Sequence, residues 1–398
     1  MNDKWNKNVP SEISPYLQDN DVSCFGPESI EIYEKDLAMI DLFCGAGGFS
    51  IGCEWAGFTP VLGIDHFKPA MSTWSHNHPN ALGYLGDIRK LSPKQIHDVL
   101  RKKGVEKISL LTGGVPCQGF SIANRKHNDN DERNFLFLEY MKYVQEFLPD
   151  FLILENVSGL RYTAGGAFEK NIIEAMEGLG YIVKVKLLNA ADYGVPQFRY
   201  RLIFVGIKSD LPNANGFQFP EPIFMDNEYR TVGDALSDLP SICAGEKNDT
   251  YASLPENEYQ YLMRGINNKI HKKDSKRLLN HEAPGHPQST IDRIGNTKPG
   301  EPLYEKFQQK IRLRYDRPSP TQLAGGIRPS FQFGHPSDAR GLTTRERARI
   351  QSFPDSYEFL GGIVQERVQT GNAVPPLLIY AVAKEIYKMI DGGTSWKI

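Results

Sequence analysis

The sequence predicts an α/β protein, with a mixed, mostly parallel sheet, its connecting helices and a smaller, more irregular second region. Three observations predict it. Residues 37–56 read as a strand, a glycine-rich turn and a helix in immediate succession. Apolar runs at 108–111 and 151–154 stop at Thr-Gly-Gly and at Glu-Asn-Val, as strands buried on both faces do where they reach the edge of a sheet. Residues 208–317 then lose this alternation and become rich in Pro, Gly and Asn.

Taken in order, residues 1–37 are polar, interrupted by Pro10, Pro15 and Pro27, and carry three lysines against eight acids. They form an N-terminal arm, with a short helix expected near 27–35. Residues 37–43 are a central strand, apolar apart from Asp41. Residues 44–48 (CGAGG) turn the chain, and 49–56 form a helix whose first amides a ligand can approach closely across the glycines. The turn lacks the third glycine of the dinucleotide fingerprint. A second strand, 59–64, ends at Asp65, an acid placed to accept from two ribose hydroxyls, and His66 or Phe67 follows for stacking on a base. Strand, helix, strand and acid together fit a cofactor containing adenosine. A helix over 69–76 precedes Gly86-Asp87-Ile88. His76 and His78 lack a carboxylate in helical register, and no metal site is expected.

The run at 107–112 is the strand that delivers Thr112-Gly113-Gly114-Val115-Pro116-Cys117. Pro116 fixes its own φ and disfavours the α region at Val115, so the Cys117 thiol sits on a stiffened turn beyond a strand end. The stretch 124–134 is too polar to bury, and the loop at about 118–134 reads as a surface loop that closes over a substrate, carrying Gln118 and Ser121 toward it. Residues 135–147 are an amphipathic helix, 151–154 a strand leading to Glu155, 167–179 a helix, and 183–187 and 201–207 strands. Alternation over QFRYR places Gln197, Arg199 and Arg201 on one face. The middle region is expected to hold irregular structure and short strands. Order returns near 318, with a helix over 342–353 opened by a Thr343/Glu346 capping box, a turn at 371–375 and a closing helix from 376.

Composition narrows the function. The length implies two domains. No apolar run reaches a membrane span, and the polar start carries no signal segment, which points to the cytoplasm. The five cysteines (24, 44, 53, 117 and 243) form no CxxC pair, so neither a disulfide framework nor a cysteine zinc site is indicated. The net charge of −2 makes no global case for nucleic acid, but residues 255–330 hold fourteen Lys or Arg against eight acids.

GGVPCQGFS, with DLFCGAGGFS at 41–50, ENV at 155–157, QFRYR at 197–201 and GNAVP at 371–375, resembles the DNA (cytosine-5)-methyltransferases of bacterial restriction-modification systems in motif order and spacing. The resemblance implies a Rossmann-like S-adenosylmethionine-dependent methyltransferase domain over 38–207, a target recognition domain over 208–317, and a segment from 318 to 398 that returns to the catalytic domain. It assigns Cys117 as nucleophile, with Pro116 shaping its turn and Gln118 beside it. Glu155 serves cytosine N3 and the 4-amino group, Arg201 serves O2, and Arg199 orders phosphate or backbone. The cofactor, S-adenosylmethionine leaving as S-adenosylhomocysteine, is expected against Phe43, Gly45, Gly47, Asp65, His66, Asp87, Ile88, Leu136, Asn372 and Val374. His66 stands where many members carry Trp. The partners implied are double-stranded DNA and a separate restriction endonuclease acting on the same site, with the enzyme a monomer. Arg312, Arg314, Arg317, Lys272, Lys273 and Lys276 are expected phosphate contacts. A tRNA cytosine methyltransferase shares this order but carries a Cys-Phe-Thr motif that this chain lacks. A catalytically inactive DNA-binding relative is expected to lose Cys117 or Glu155, and both are present.

Overall fold

The computed structural model describes residues 18–19, 22–30, 37–116, 135–271, 273–324 and 332–391. The chain divides into two compact units. Unit 1 takes residues 1–189, 200–221 and 379–397; unit 2 takes 190–199 and 222–378.

In unit 1 the described strands are β1 (Gln18–Asp19), β2 (Val22–Phe25), β3 (Leu37–Leu42), β4 (Phe58–Asp65), β5 (Leu82–Leu85), β6 (Leu110–Gly114), β7 (Phe151–Val157), β8 (Tyr181–Asn189) and β9 (Tyr200–Lys208). They form one sheet in the order β1-β2-β5-β4-β3-β6-β7-β9-β8. The five strands from β5 to β7 are mutually parallel, and β9 runs antiparallel between β7 and β8. Helices α1 (Gly48–Ala56), α2 (Lys68–Asn77), α3 (Pro93–Lys102), α4 (Phe135–Phe147) and α5 (Ala167–Gly178) connect them. This is the α/β, Rossmann-like methyltransferase architecture expected. The core is made of residues such as Ile40, Leu42, Leu62, Leu111, Leu152 and Phe204, fully buried in the sheet. Near-continuous apolar strands of this kind are what a parallel sheet covered on both faces requires.

Strand order reverses between β3 and β6. The chain steps from β3 to β4 to β5 in one direction and from β6 to β7 in the other. The carboxyl ends of the five parallel strands therefore share one edge, with the crevice of the switch point between the glycine turn after β3 and the GGVP turn after β6. Leu42 pairs with Gly113 at that point. Because β9 is antiparallel to β7, its first residues return to the same edge, and Arg201 pairs with Val157.

The edge of the sheet was not legible as such in the sequence. Residues 18–25, read as part of an arm, add β2 to β5 in antiparallel register. The helix expected near 27–35 lies largely outside the described residues, and 26–30 are not helical.

Unit 2 contains α6 (Val232–Leu236), α7 (Glu258–Arg264), α8 (Gln288–Asn296), the two-residue strands β10 (Ile311–Arg312) and β11 (Phe333–Gly334), α9 (Thr344–Ile350) and α10 (Ile363–Asn372). Helix α11 (Pro376–Ile390) closes the chain, with most of its length in unit 1. There its Tyr380 and Tyr387 meet Trp55 and Phe58 edge to face. The middle region is thus more helical than its composition suggested, since short capped helices leave no long periodic signature. Asn257, for example, caps α7 by accepting from Gln260 N.

The unit boundaries also differ from those read in the sequence. Residues 190–199 and 318–378 belong with unit 2, because Gln197, Arg199, Ser319, Gln322 and Gly371 are joined by hydrogen bonds there. Gln197 and Arg199 therefore do not continue β9. The strand begins at Tyr200, and the single face expected for residues 197, 199 and 201 is broken between the two units.

Candidate active site

The glycine turn is built around two left-handed residues at the entrance to α1, Gly45 at φ 53° and Gly47 at φ 88°, with Phe43 also at positive φ. A Cβ at Gly45 would meet nothing within 4 Å, so the turn leaves open space on that side. Gly47 caps α1 without a side-chain hydrogen bond, while the Ser50 backbone amide in the first turn is taken by Asp41. Asp65, at the end of β4, reaches across to the turn. Its Oδ2 accepts from Gly45 N at 2.9 Å and its Oδ1 from Phe67 N at 2.7 Å. Burial pushes this carboxyl up, against the lowering effect of those two amides. The His66 side chain beside it is three-quarters exposed. Open glycine backbone, an acid and an exposed ring suit an adenosyl amino acid.

Asp87 caps the turn Ile88–Lys90 through Arg89 N and is also bound by the Arg89 guanidinium, which holds its carboxyl below the usual range. Ile88 is buried, and Leu136 is half-buried against the core. Of the remaining expected cofactor residues, Asn372 and Val374 lie in unit 2, Asn372 exposed at the last turn of α10 and Val374 buried just beyond it.

Beneath the glycine turn lies a polar cluster that sequence reading passed over. Asp41 is fully buried in β3; its Oδ2 accepts from Ser50 Oγ at 2.6 Å and its Oδ1 from Thr112 Oγ1 at 3.0 Å. Ser50 Oγ in turn accepts from Trp74 Nε1 at 2.8 Å. One carboxylate thus ties the first turn of α1 to β6. The only signal for it was an acid inside an otherwise apolar strand.

At the end of β6, Gly114 pairs with Glu155 of β7. A Cβ at Gly114 would stand 3.4 Å from Glu155 Oε2. Glu155 and Arg201 form an ion pair, Oε1 to Nε 2.5 Å, with side chains only 10 % and 11 % exposed. They are diagonal neighbours across β7 and β9, within reach of each other's long side chains. Burial lowers the Arg201 pKa and Glu155 acts against that, so the guanidinium remains a cation. Asn156 turns the other way and donates from Nδ2 to Val115 O at 3.1 Å, pinning the residue before Pro116. Asn156 is a positioning residue that the sequence reading left unassigned. Cys117, Gln118 and the loop expected to close lie outside the described residues.

Arg199, nearly fully buried in unit 2, donates to Gln322 O and Gly371 O, both at 2.9 Å, and so orders backbone next to Asn372. Among the expected phosphate contacts, Arg312 is corrected. It is buried and donates to the carbonyls of His335, Ile294, Gly295, Thr297 and Ser337, which leaves no face for DNA. Arg314 is paired with Asp316. Lys273, Lys276 and Arg317 are exposed, and Lys272 lies outside the described residues.

The open glycine turn, the proline turn and the buried Glu–Arg pair all lie at the carboxyl edge of one doubly wound sheet, where α/β enzymes bind their ligands. The chain belongs to the C-5 cytosine-specific DNA methylase family, whose sequence pattern spans residues 37–388. Among its relatives, Type II methyltransferase M.DdeI of Desulfomicrobium norvegicum is 38 % identical over 378 residues, covering 87 % of this chain and 88 % of the relative. Type II methyltransferase M1.HphI of Haemophilus parahaemolyticus is 36 % identical over 370 residues, covering 90 % of this chain and 88 % of the relative. The fold is similar to that of a candidate DNA modification methyltransferase encoded within an Escherichia coli prophage. That similarity has a TM-score of 0.74 and 26 % identity, covering 89 % of this chain and all of the other. The enzyme is therefore an S-adenosylmethionine-dependent methyltransferase of the bacterial restriction-modification type, acting on cytosine in DNA.

Proposed function

We propose that the enzyme methylates carbon 5 of a cytosine flipped out of a specific short duplex site, through a covalent bond between Cys117 and C6. Carbon 5 of cytosine is a poor nucleophile. Addition of the Cys117 thiolate at C6 makes C5 the nucleophilic carbon of an enamine. S-adenosylmethionine supplies an electrophilic methyl on a sulfonium. C5 bonds to that methyl as the carbon–sulfur bond breaks and S-adenosylhomocysteine forms. The C5 proton then leaves to a base, and breaking the C6–thiolate bond restores the ring. Charge that develops on N3 and O2 during addition is met by a proton that Glu155 carries or shares with N3, its other oxygen accepting from the 4-amino group, and by the Arg201 cation at O2. The observation that carries this reading is the Glu155–Arg201 pair set beside Gly114, Val115 and Pro116, with Asn156 pinning the turn.

In the same reading, Phe43, Gly45, Gly47, Asp65, His66, Asp87, Ile88 and Leu136 hold the cofactor together with Asn372 and Val374. Residues 208–317, most of them in unit 2, carry target recognition, the target base is extruded from duplex DNA, and the enzyme works as a cytoplasmic monomer beside a separate endonuclease of the same specificity. The test is Cys117→Ala with duplex containing 5-fluorocytosine, whose fluorine blocks the elimination. Wild type should form a covalent complex that survives denaturation; the variant should bind S-adenosylmethionine, form no such complex and transfer no methyl. Appreciable turnover by the variant overturns the nucleophile. Mapping 5-methylcytosine in a randomised duplex library gives the site. Exchanging residues 208–317 for those of a relative with another site should move it, and an active chimera that still marks the original sequence refutes recognition by that region.

A further inference from the structure

Unit 2 contains a cleft of about 500 Å³ lined by Asp249, Tyr251, Leu254, Arg264, Lys276 and Arg277 among others. One wall is the loop 249–254 and the other is the stretch at 276–277, and the two are fastened together, since Leu278 N donates to Asp249 O at 2.9 Å. The loop is held from beneath by buried ions. Tyr251 Oη donates to Asp355 Oδ2 at 2.8 Å. Arg264 lies 3.6 Å from the Tyr251 ring centroid, donates to Ser253 O at 2.7 Å, and pairs with the fully buried Asp238 at 2.6 Å. At the end of this anchored segment Leu254 is 82 % exposed. An exposed leucine is by itself ordinary. This one ends a pinned segment and lines the same cleft as Lys276 and Arg277, both exposed. Arg277 is paired with Asp249 at 2.8 Å, so the unbalanced positive charge at the cleft belongs to Lys276.

We infer that this cleft is a DNA-contacting element, in which Leu254 meets base pairs in a groove while Lys276 meets a backbone phosphate. The inference rests on the assignment of target recognition to residues 208–317 and names the loop that performs it. An apolar tip reads thymine methyls or wedges between base steps, and a flanking cation fixes register on the phosphates without reading sequence. Rigidity matters because a contact that discriminates between bases has to be held in place. The ions under Tyr251 and Ser253 supply that hold.

The experiment uses the full chain and a duplex whose site has been mapped, with S-adenosylhomocysteine for the binding measurements and S-adenosylmethionine for turnover. Lys276→Ala should weaken binding and make the slope of log K against log salt less negative by about 0.9, the loss of one phosphate contact. Lys94→Ala, which removes an exposed lysine on α3 of unit 1, should leave that slope as in wild type. Leu254→Ala should lower the ratio of kcat/KM between the cognate site and single-base-pair variants about fivefold or more at one position. Thermal melting confirms that each variant is folded. If Lys276→Ala keeps the wild-type slope and Leu254→Ala keeps the wild-type ratio, the inference is overturned. Failure of the wider reading shows separately, as a 208–317 chimera that retains the original site.

Discussion

A buried carboxylate and guanidinium such as Glu155 and Arg201 gain Coulomb energy but forfeit hydration, and the two nearly cancel. So small a net gain suits the substrate role proposed for the pair, and variants should separate the two roles. Arg201→Ala removes the buried cation facing Glu155 and should cost about 3–5 kcal/mol in a denaturant titration. The apolar-compatible double variant Glu155→Gln with Arg201→Met should recover most of that stability and yet transfer no methyl. Glu155→Gln alone should lower kcat by about 10²–10³, the scale of losing one donor aimed at developing charge. A double variant as unstable as Arg201→Ala would mark the pair as structural. Asp41 obeys a different balance. Burial raises its carboxyl from 3.8 to about 6, with Ser50 and Thr112 acting against the rise. A folded pKa above the unfolded one means the native state binds the proton more tightly, so this contribution is complete below about pH 4 and is lost as pH rises through about 6. The shift corresponds to about 3 kcal/mol. Asp41→Asn should flatten that part of the stability–pH profile measured between pH 4 and 7; an unchanged profile would remove Asp41 as its source.

At the level of elements, the turn between β3 and α1 has to be left-handed at two places and open on one side. Gly45→Ala meets no neighbouring atom, so its structural cost is the backbone strain of a left-handed alanine, about 1–2 kcal/mol. Its functional cost should be larger, because the added methyl fills the side on which the cofactor approaches. KM for S-adenosylmethionine should rise about tenfold, equivalent to about 1.4 kcal/mol, with a smaller change in kcat. An unchanged KM would place the cofactor elsewhere. Helix α9 shows how firmly a short element can be specified. Thr343 accepts from Glu346 N while Glu346 accepts from Thr343 N, the reciprocal cap read in the sequence. Thr343→Ala should lower stability by about 1 kcal/mol, seen as a reduced unfolding midpoint.

Across the molecule, the two units are held by different physics. Unit 1 is a largely apolar sheet whose buried charge, among the described residues, includes Asp41 under the glycine turn and the Glu155–Arg201 pair at the strand ends. Unit 2 relies on ions without water: Arg349 binds both Asp238 and Asp355, and Arg340 binds Glu346 at 2.8 Å, with all five side chains fully buried. Burial alone would raise Asp355, but Arg349 more than offsets it and the carboxyl stays below its ordinary value. A depressed folded pKa contributes stability that is present above about pH 4 and is lost as pH falls through the folded value. Acidification below pH 4 should therefore open unit 2 at its ionic centre, while Asp41 in unit 1 favours the folded state there. Hydrogen exchange at pH 3 should show Ala235 and Arg349 amides losing protection ahead of Ile40 and Leu111. Arg349→Met removes the cation shared by two buried carboxylates, leaving Asp238 with Arg264 and Asp355 with Arg345 and Tyr251, and should cost about 3 kcal/mol at neutral pH. Simultaneous loss of protection in both units would contradict the separation.

The sequence by itself determined the sheet's central strands, the two turns at the switch point, the capping box of α9 and the residue types of the chemistry. These are local: an apolar run, a glycine pair, a proline that stiffens its neighbour and a threonine three residues before a glutamate act within a few residues of themselves. Tertiary structure decided what depends on distant partners. It put Glu155 against Arg201, turned Asn156 onto Val115, and converted Asp41 from an anomaly in an apolar strand into the tie between α1 and β6. It also divided Arg199 from Arg201, two residues apart, because β9 begins between them and carbonyls more than a hundred residues downstream hold Arg199. The same reason governs Arg312, whose charge looks ready for phosphate in the sequence but is consumed by five carbonyls that only the folded chain brings around it. A side chain's charge is written in the sequence; whether water, a carbonyl or another ion neutralises it is settled by packing.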